Sequence, residues 1–122
     1  MLTIIEGLPA DVLGFTADGE LTGGDYENVL MPSIEAKFLQ FDKLSVLFQL
    51  APGFKRFSVA FIEDKAKLGL EHFRGWNKVA IVSDHHFINA YTNLIKHLLP
   101  VEIRVFEYTE IDEARAWVST AN

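Results

Sequence analysis

A chain of 122 residues with a formal net charge of −6, 49% hydrophobic residues and no cysteine is sized for a single domain with one core. The lack of cysteine excludes a disulfide framework, a thiolate metal site and a cysteine nucleophile and suits a reducing cytoplasm, while the acidic balance argues against a nucleic-acid partner, whose phosphates need a broad basic surface. Residues 1–9 carry no basic region ahead of an apolar run, so no signal peptide is expected, and no apolar stretch approaches the roughly 20 residues of a spanning helix.

The extended run 2–5 turns at Gly7, Leu8 and Pro9 into a second, 12–17, which predicts an antiparallel hairpin. Past the polarity change at Asp18 and Gly19, Thr22 precedes a stretch in which Tyr26, Leu30, Ile34, Phe38 and Phe41 share one helical face. Thr22 can cap this helix, with Asp25 beside the positive end of its dipole. Pro32 removes a backbone donor and crowds the preceding turn, so the helix either kinks there or ends near Met31. Residues 44–50 read as a central strand covered on both faces and ended by Pro52 and Gly53.

A helix over about 58–73 follows, with Val59, Ile62, Ala66, Leu70 and Phe73 as its core stripe. Residues 78–82 predict the next strand, 86–99 a helix with Phe87, Tyr91, Leu94 and Leu98 inward and Pro100 closing it, and 101–106 the last strand. Thr109 with Asp112 three residues later resembles a capping box for a final helix that holds Ala114, Trp117 and Val118. Strands alternating with amphipathic helices predict an α/β fold. The expectation is a five-stranded, mostly parallel sheet with an antiparallel N-terminal edge strand and about four helices.

That order, with the phrases Thr22 to Pro32 (TGGDYENVLMP), Lys78 to Asp84 (KVAIVSD) and Val101 to Trp117 (VEIRVFEYTEIDEARAW), resembles the uncharacterised branch of the SpoIIAA-like family. The resemblance covers residues 1–122 as one SpoIIAA-like (STAS-like) domain; the same fold group includes STAS anti-sigma-factor antagonists and, in architecture, lipid-binding CRAL-TRIO domains. It implies a non-catalytic regulatory or protein-interaction module, with binding of a small apolar or lipid-like ligand as the alternative. STAS antagonists carry an Asp-Ser phosphoacceptor where the strand before the second helix ends. This chain has Gln49, Leu50, Ala51, Pro52, Gly53, Phe54, Lys55, Arg56, Phe57 and Ser58 there, with no Asp-Ser pair. Ser58, the segment's one hydroxyl, reads as a helix cap.

Ligands of parallel sheets gather beyond the carboxyl ends of the strands, which here carry Asp18, Gln49, Ser83 with Asp84, and Glu107 with Tyr108. Asp84, His85 and Glu107 form a candidate ligand or metal cluster, since a carboxylate beside imidazole can hold a divalent ion or move protons. No HExxH spacing supports it, and capping of the following helix by Asp84 beside solvated His85 and His86 is the plainer reading. An enzyme would need Asp84, His85 and Glu107 to converge in a cleft. Gly23 and Gly24 lack a phosphate-loop pattern, and Asp25 sits where an anion would. No cofactor or metal is expected.

On the helix over 58–73, Phe61 and Leu68 fall nearly opposite the core stripe and flank Lys65 and His72. With Phe54, Lys55, Arg56 and Phe57 before them, they outline an apolar and basic interaction surface. Docking to a protein partner or to a second copy, giving a homo-oligomer, suits it first. Peripheral membrane contact comes second, and a preceding loop folded back over Phe61 and Leu68 would remove the surface altogether. A pocket lined by Phe38, Phe61 or Phe87 would instead favour an apolar ligand.

Overall fold

The computed structural model describes residues 1–60, 75–95 and 101–120. Its sheet has the strand order β1-β2-β3-β4-β5, formed by β1 (Leu2–Ile5), β2 (Val12–Leu21), β3 (Leu44–Phe57), β4 (Trp76–Val82) and β5 (Glu102–Phe106). The first pair is the expected antiparallel hairpin, with Leu2 opposite Ala17 and Ile5 opposite Gly14, and every later pair is parallel. The hairpin turn folds tightly onto Gly14: a Cβ there would stand 2.9 Å from Ile5 Cβ and closer still to Leu8 Cδ1, so only glycine fits.

The first helix, α1, is built in three pieces: Gly23–Asp25 in α geometry, Tyr26–Leu30 as a π turn and Met31–Phe38 in α geometry again. Thr22 caps it as its sequence position predicts. Thr22 Oγ1 accepts from Asp25 N–H at 3.2 Å, and Asp25 Oδ2 accepts from Thr22 N–H at 2.9 Å. At Pro32 the helix changes geometry but continues. The wider turn takes up the proline: Met31 N–H reaches back to Tyr26 O, and the chain re-enters α geometry with proline in the first turn, where a missing donor costs least.

Tyr26, Leu30 and Ile34 bury one face of α1 against Leu13, Phe15, Ala17, Leu44, Val46 and Leu50 of the sheet, with Phe38 and Phe41 packed at the margin. On the opposite sheet face, Ala114 and Val118 of the last helix, α3 (Ile111–Ser119), meet Val12, Leu47, Ala80, Val82 and Phe106. Leu47 thus points one way and Leu44, Val46 and Leu50 the other, which makes β3 the doubly covered strand its composition predicts. Buried Lys78 on β4 closes the end of α3, its Nζ donating to Thr120 Oγ1 at 2.6 Å and Thr120 O at 3.2 Å. Those carbonyl and hydroxyl oxygens satisfy an ammonium that burial would otherwise penalise.

Between them lies α2 (His86–Ile95), so three helices are seen among the described residues. The helix expected over 58–73 is described only at residues 59 and 60, which are helical. Val59, placed in its core stripe by periodicity, is 73% exposed. The capping box before α3 lies two residues ahead of the Thr109–Asp112 pair: Glu110 Oε1 accepts from Glu107 N–H at 2.9 Å and opens a 3-10 turn, Tyr108–Glu110.

The main departure from the sequence reading is β3. It does not stop at Pro52 and Gly53 but continues to Phe57. Pairing with β4 ends at Gln49 opposite Val82, whereas pairing with β2 runs on to Leu21 opposite Phe57. Ala51, Pro52 and Gly53 lie across from Asp18 in a bulge, because Leu50 pairs with Ala17 and Phe54 with Gly19. A proline in a bulge, beside a strand end with a neighbour on one side, breaks no ladder bond that the sheet needs.

Candidate functional site

The overrunning part of β3 is where the expected interaction surface begins, and the structure divides that surface. Phe54 is not exposed: it is only 5% accessible and belongs to the core cluster, with its ring centroid 5.0 Å from that of Phe57 and 5.5 Å, edge-on, from His85. It stands an even number of residues from Leu44, Val46 and Leu50 and so shares their face of the sheet, as alternation along a strand requires, even though register shifts flank it. Phe57 is half-buried against the same cluster. Lys55 and Arg56 remain exposed, and Arg56 Nε pairs with Glu20 Oε2 on β2. Phe61, Lys65, Leu68 and His72 lie outside the described residues.

Gly53 is tied to this arrangement sterically, since a Cβ there would clash with Asp18 Oδ1. That oxygen already accepts from Gly19 N–H at 2.8 Å. Gly19 holds φ +61°, a left-handed turn that glycine adopts without strain and that sits at the register shift. The bulge is therefore held from both strands.

At the ends of β4 and β5 the polar residues are largely engaged with main chain. Ser83 is fully buried; its N–H donates to Phe106 O at 2.9 Å, its Oγ accepts from His85 N–H at 3.0 Å and its carbonyl accepts from Asn89 Nδ2 at 2.7 Å. Asp84 Oδ1 accepts from Tyr108 N–H at 3.1 Å, which fastens the turn after β4 to the turn after β5. His85 packs edge-on against Phe54, and Glu107 opens the 3-10 turn with its side chain exposed. Asp84, His85 and Glu107 thus each make a separate contact, and among the described residues no group of three or more His, Cys, Asp or Glu side chains is placed to hold a metal ion.

Tyr108 was placed at a strand end by the sequence but given no role. Its hydroxyl is buried without a hydrogen-bond partner, as is Asn89 Oδ1. Burial raises the phenol's pKa above its usual 10, and the carboxylates of Asp84 and then Asp18 push it the same way. The folded state therefore holds that proton more tightly than the unfolded chain. Its contribution to stability is complete below the ordinary tyrosine pKa and disappears as pH rises through the raised value.

Tyr108→Phe is expected to leave the unfolding free energy at neutral pH unchanged or up to about 1 kcal/mol higher, because it removes an unsatisfied buried hydroxyl. It should also reduce the loss of stability above pH 10. Urea unfolding at neutral and alkaline pH measures both. A loss above about 1 kcal/mol at neutral pH would mean that the hydroxyl has a strong partner in solution.

Of Phe38, Phe61 and Phe87, any of which could line an apolar pocket, only the side chain of Phe38 is described. Phe38 stands edge-on to Trp76 with centroids 5.3 Å apart at the margin of the core, Phe61 lies outside the described residues and so does the side chain of Phe87. A depression of about 430 Å³ occurs at the opposite, amino end of β3 and β4, bordered by Asp11, Lys43, Ser45, Asn77 and Thr120. Its lining mixes polar groups with the apolar side chain of Val118. Among the described residues no helix is long and apolar enough to cross a membrane.

Comparison with known proteins agrees with the α/β fold. The SpoIIAA-like family model matches residues 12–119. Among solved structures, the chain is similar to an uncharacterised protein of the DUF3478 family with a SpoIIAA-like fold from Shewanella loihica PV-4, with a TM-score of 0.78 and 26% sequence identity over 96% of this chain and 93% of that one. No curated protein matches the chain.

Proposed function

The chain belongs to the SpoIIAA-like family, and from that premise we propose that it is a non-catalytic regulatory module of the cytoplasm that engages a protein partner through the part of β3 that outruns β4. The observation carrying this reading is the position of Lys55 and Arg56. Both are exposed on a backbone paired with β2 and anchored by buried Phe54. A basic pair presented from a rigid strand loses little ordering entropy on binding, and its neighbour Phe57 is an aromatic of the kind that anchors interfaces. Phe61, Lys65, Leu68 and His72, which the sequence assigns to the same surface, lie outside the described residues.

The test is recovery of partners from a lysate of the source organism by the wild type and by Lys55→Glu/Arg56→Glu, with identification by mass spectrometry. The double variant is expected to lose a specific partner at least about tenfold while its unfolding free energy stays within about 0.5 kcal/mol, because exposed side chains contribute little to stability. Unchanged recovery would remove the reading. Sedimentation with vesicles containing phosphatidylserine separates a protein partner from a membrane: the same cationic pair suits an anionic surface, and loss of vesicle binding alone would favour peripheral membrane contact.

A further inference from the structure

We propose that this chain forms a two-fold symmetric dimer in which β5 of one copy pairs antiparallel with β5 of a second, so that the two sheets join into one. This surface is separate from the β3 overhang and stands or falls independently of the partner reading above. Among the described residues β5 is the last strand of the sheet and pairs with β4 alone. An edge of this kind presents unpaired main-chain groups and is a template for another strand.

The phase of those groups follows from one hydrogen bond. Phe106 lies opposite Val82, and its carbonyl accepts from Ser83 N–H at 2.9 Å. Phe106 therefore directs its main-chain groups toward β4, as do Arg104 and Glu102 by the two-residue period, while Ile103 and Val105 direct theirs outward. An antiparallel pair centred on Ile103 lets the two copies of that residue exchange both N–H···O bonds.

The side chains select the occupant. In that register Glu102 of each copy stands opposite Arg104 of the other, at the non-hydrogen-bonded positions where Cα atoms approach to about 4.5 Å and cross-strand side chains are closest. Both residues are exposed. Symmetry makes the charge match twice, so the Glu-Ile-Arg edge is complementary to itself, and the two-fold contact closes rather than growing into a fibre. Arg104 is also held over the sheet face by Phe106 and Trp117, its guanidinium carbon 4.9 and 5.2 Å from their ring centroids. A side chain ordered in advance has less freedom to lose on pairing.

Sedimentation equilibrium from micromolar to millimolar concentration tests the dimer with three variants. Glu102→Arg and Arg104→Glu should each weaken association by about tenfold, since one substitution turns both symmetric pairs from attraction to repulsion. The combined Glu102→Arg/Arg104→Glu variant should restore it, because the swapped edge is again self-complementary. A wild type that stays monomeric, single reversals without effect, or a double variant that fails to recover would each overturn the proposal. Arg104→Glu gives up contacts with Phe106 and Trp117, so a second readout uses the unaltered chain: hydrogen exchange at the Ile103 amide should slow as protein concentration rises, and exchange independent of concentration would overturn it. Lys55→Glu/Arg56→Glu is expected to leave the dimer unchanged, which keeps this outcome distinct from that of the partner test.

Discussion

Replacing Phe54 by alanine is expected to lower the unfolding free energy by about 3–5 kcal/mol, the usual cost of deleting a buried aromatic ring. The side chain is 5% exposed and packs within the cluster formed by β2, β3 and α1. Its removal takes away the face-to-edge contact with His85 and the contact with Phe57 together. Little can fill the space, because the backbone on either side of Phe54 is held by pairing with β2, Leu50 opposite Ala17 and Arg56 opposite Glu20. Urea unfolding gives the number. A loss below about 1 kcal/mol would place Phe54 in solvent, as a surface loop would have it. The substitution should also loosen Lys55 and Arg56, so partner recovery should fall with it although neither basic residue is changed.

How much of this was legible in the sequence depends on which physical signal each element carried. The hairpin, the succession of strands along the chain and the doubly buried character of β3 are written in apolar runs separated by Gly, Pro and Asp, and the structure follows them. The Thr22 cap was also legible, since an N-cap hydroxyl and an acid three residues on satisfy each other locally, without help from the rest of the fold. Pro52 and Gly53 misled because they are terminators only when both sides of a strand are paired. Beyond Gln49 the pairing among the described residues is with β2 alone, a fact of tertiary structure that no local pattern contains.

Phe54 followed the same error: once the strand was ended at Pro52, its aromatic became part of an apparent surface. Pro32 marks a change in the helix, as its sequence position predicts, and the wider π turn before it is the form that change takes. At the sheet ends, Asp84 and His85 looked like a chemical pair because they are adjacent in sequence. The structure instead separates their contacts, one to Tyr108 N–H and the other to the ring of Phe54. Tyr108 itself could have been flagged only by its place after a strand, since the two carboxylates that raise its pKa come from β2 and from the turn after β4.

The claim on which the functional reading depends is that residues 51–57 are strand, anchored and rigid, rather than a loop. Ser58 N–H, at the far end of that segment, donates to Leu21 O at 2.8 Å, and Phe54, Arg56 and Phe57 lie opposite Gly19, Glu20 and Leu21. Amide exchange reports such bonds through the free energy needed to open them. With the ladder closed as far as Leu21, opening Ser58 requires undoing a segment that includes the buried ring of Phe54. Residue-resolved hydrogen exchange on the intact chain is the most direct measurement. The Ser58 amide is predicted to exchange at least about a hundredfold more slowly than in an unstructured chain, on the order of 3 kcal/mol of opening free energy, and exchange at the unstructured rate would contradict the anchored overhang and the interaction surface built on it.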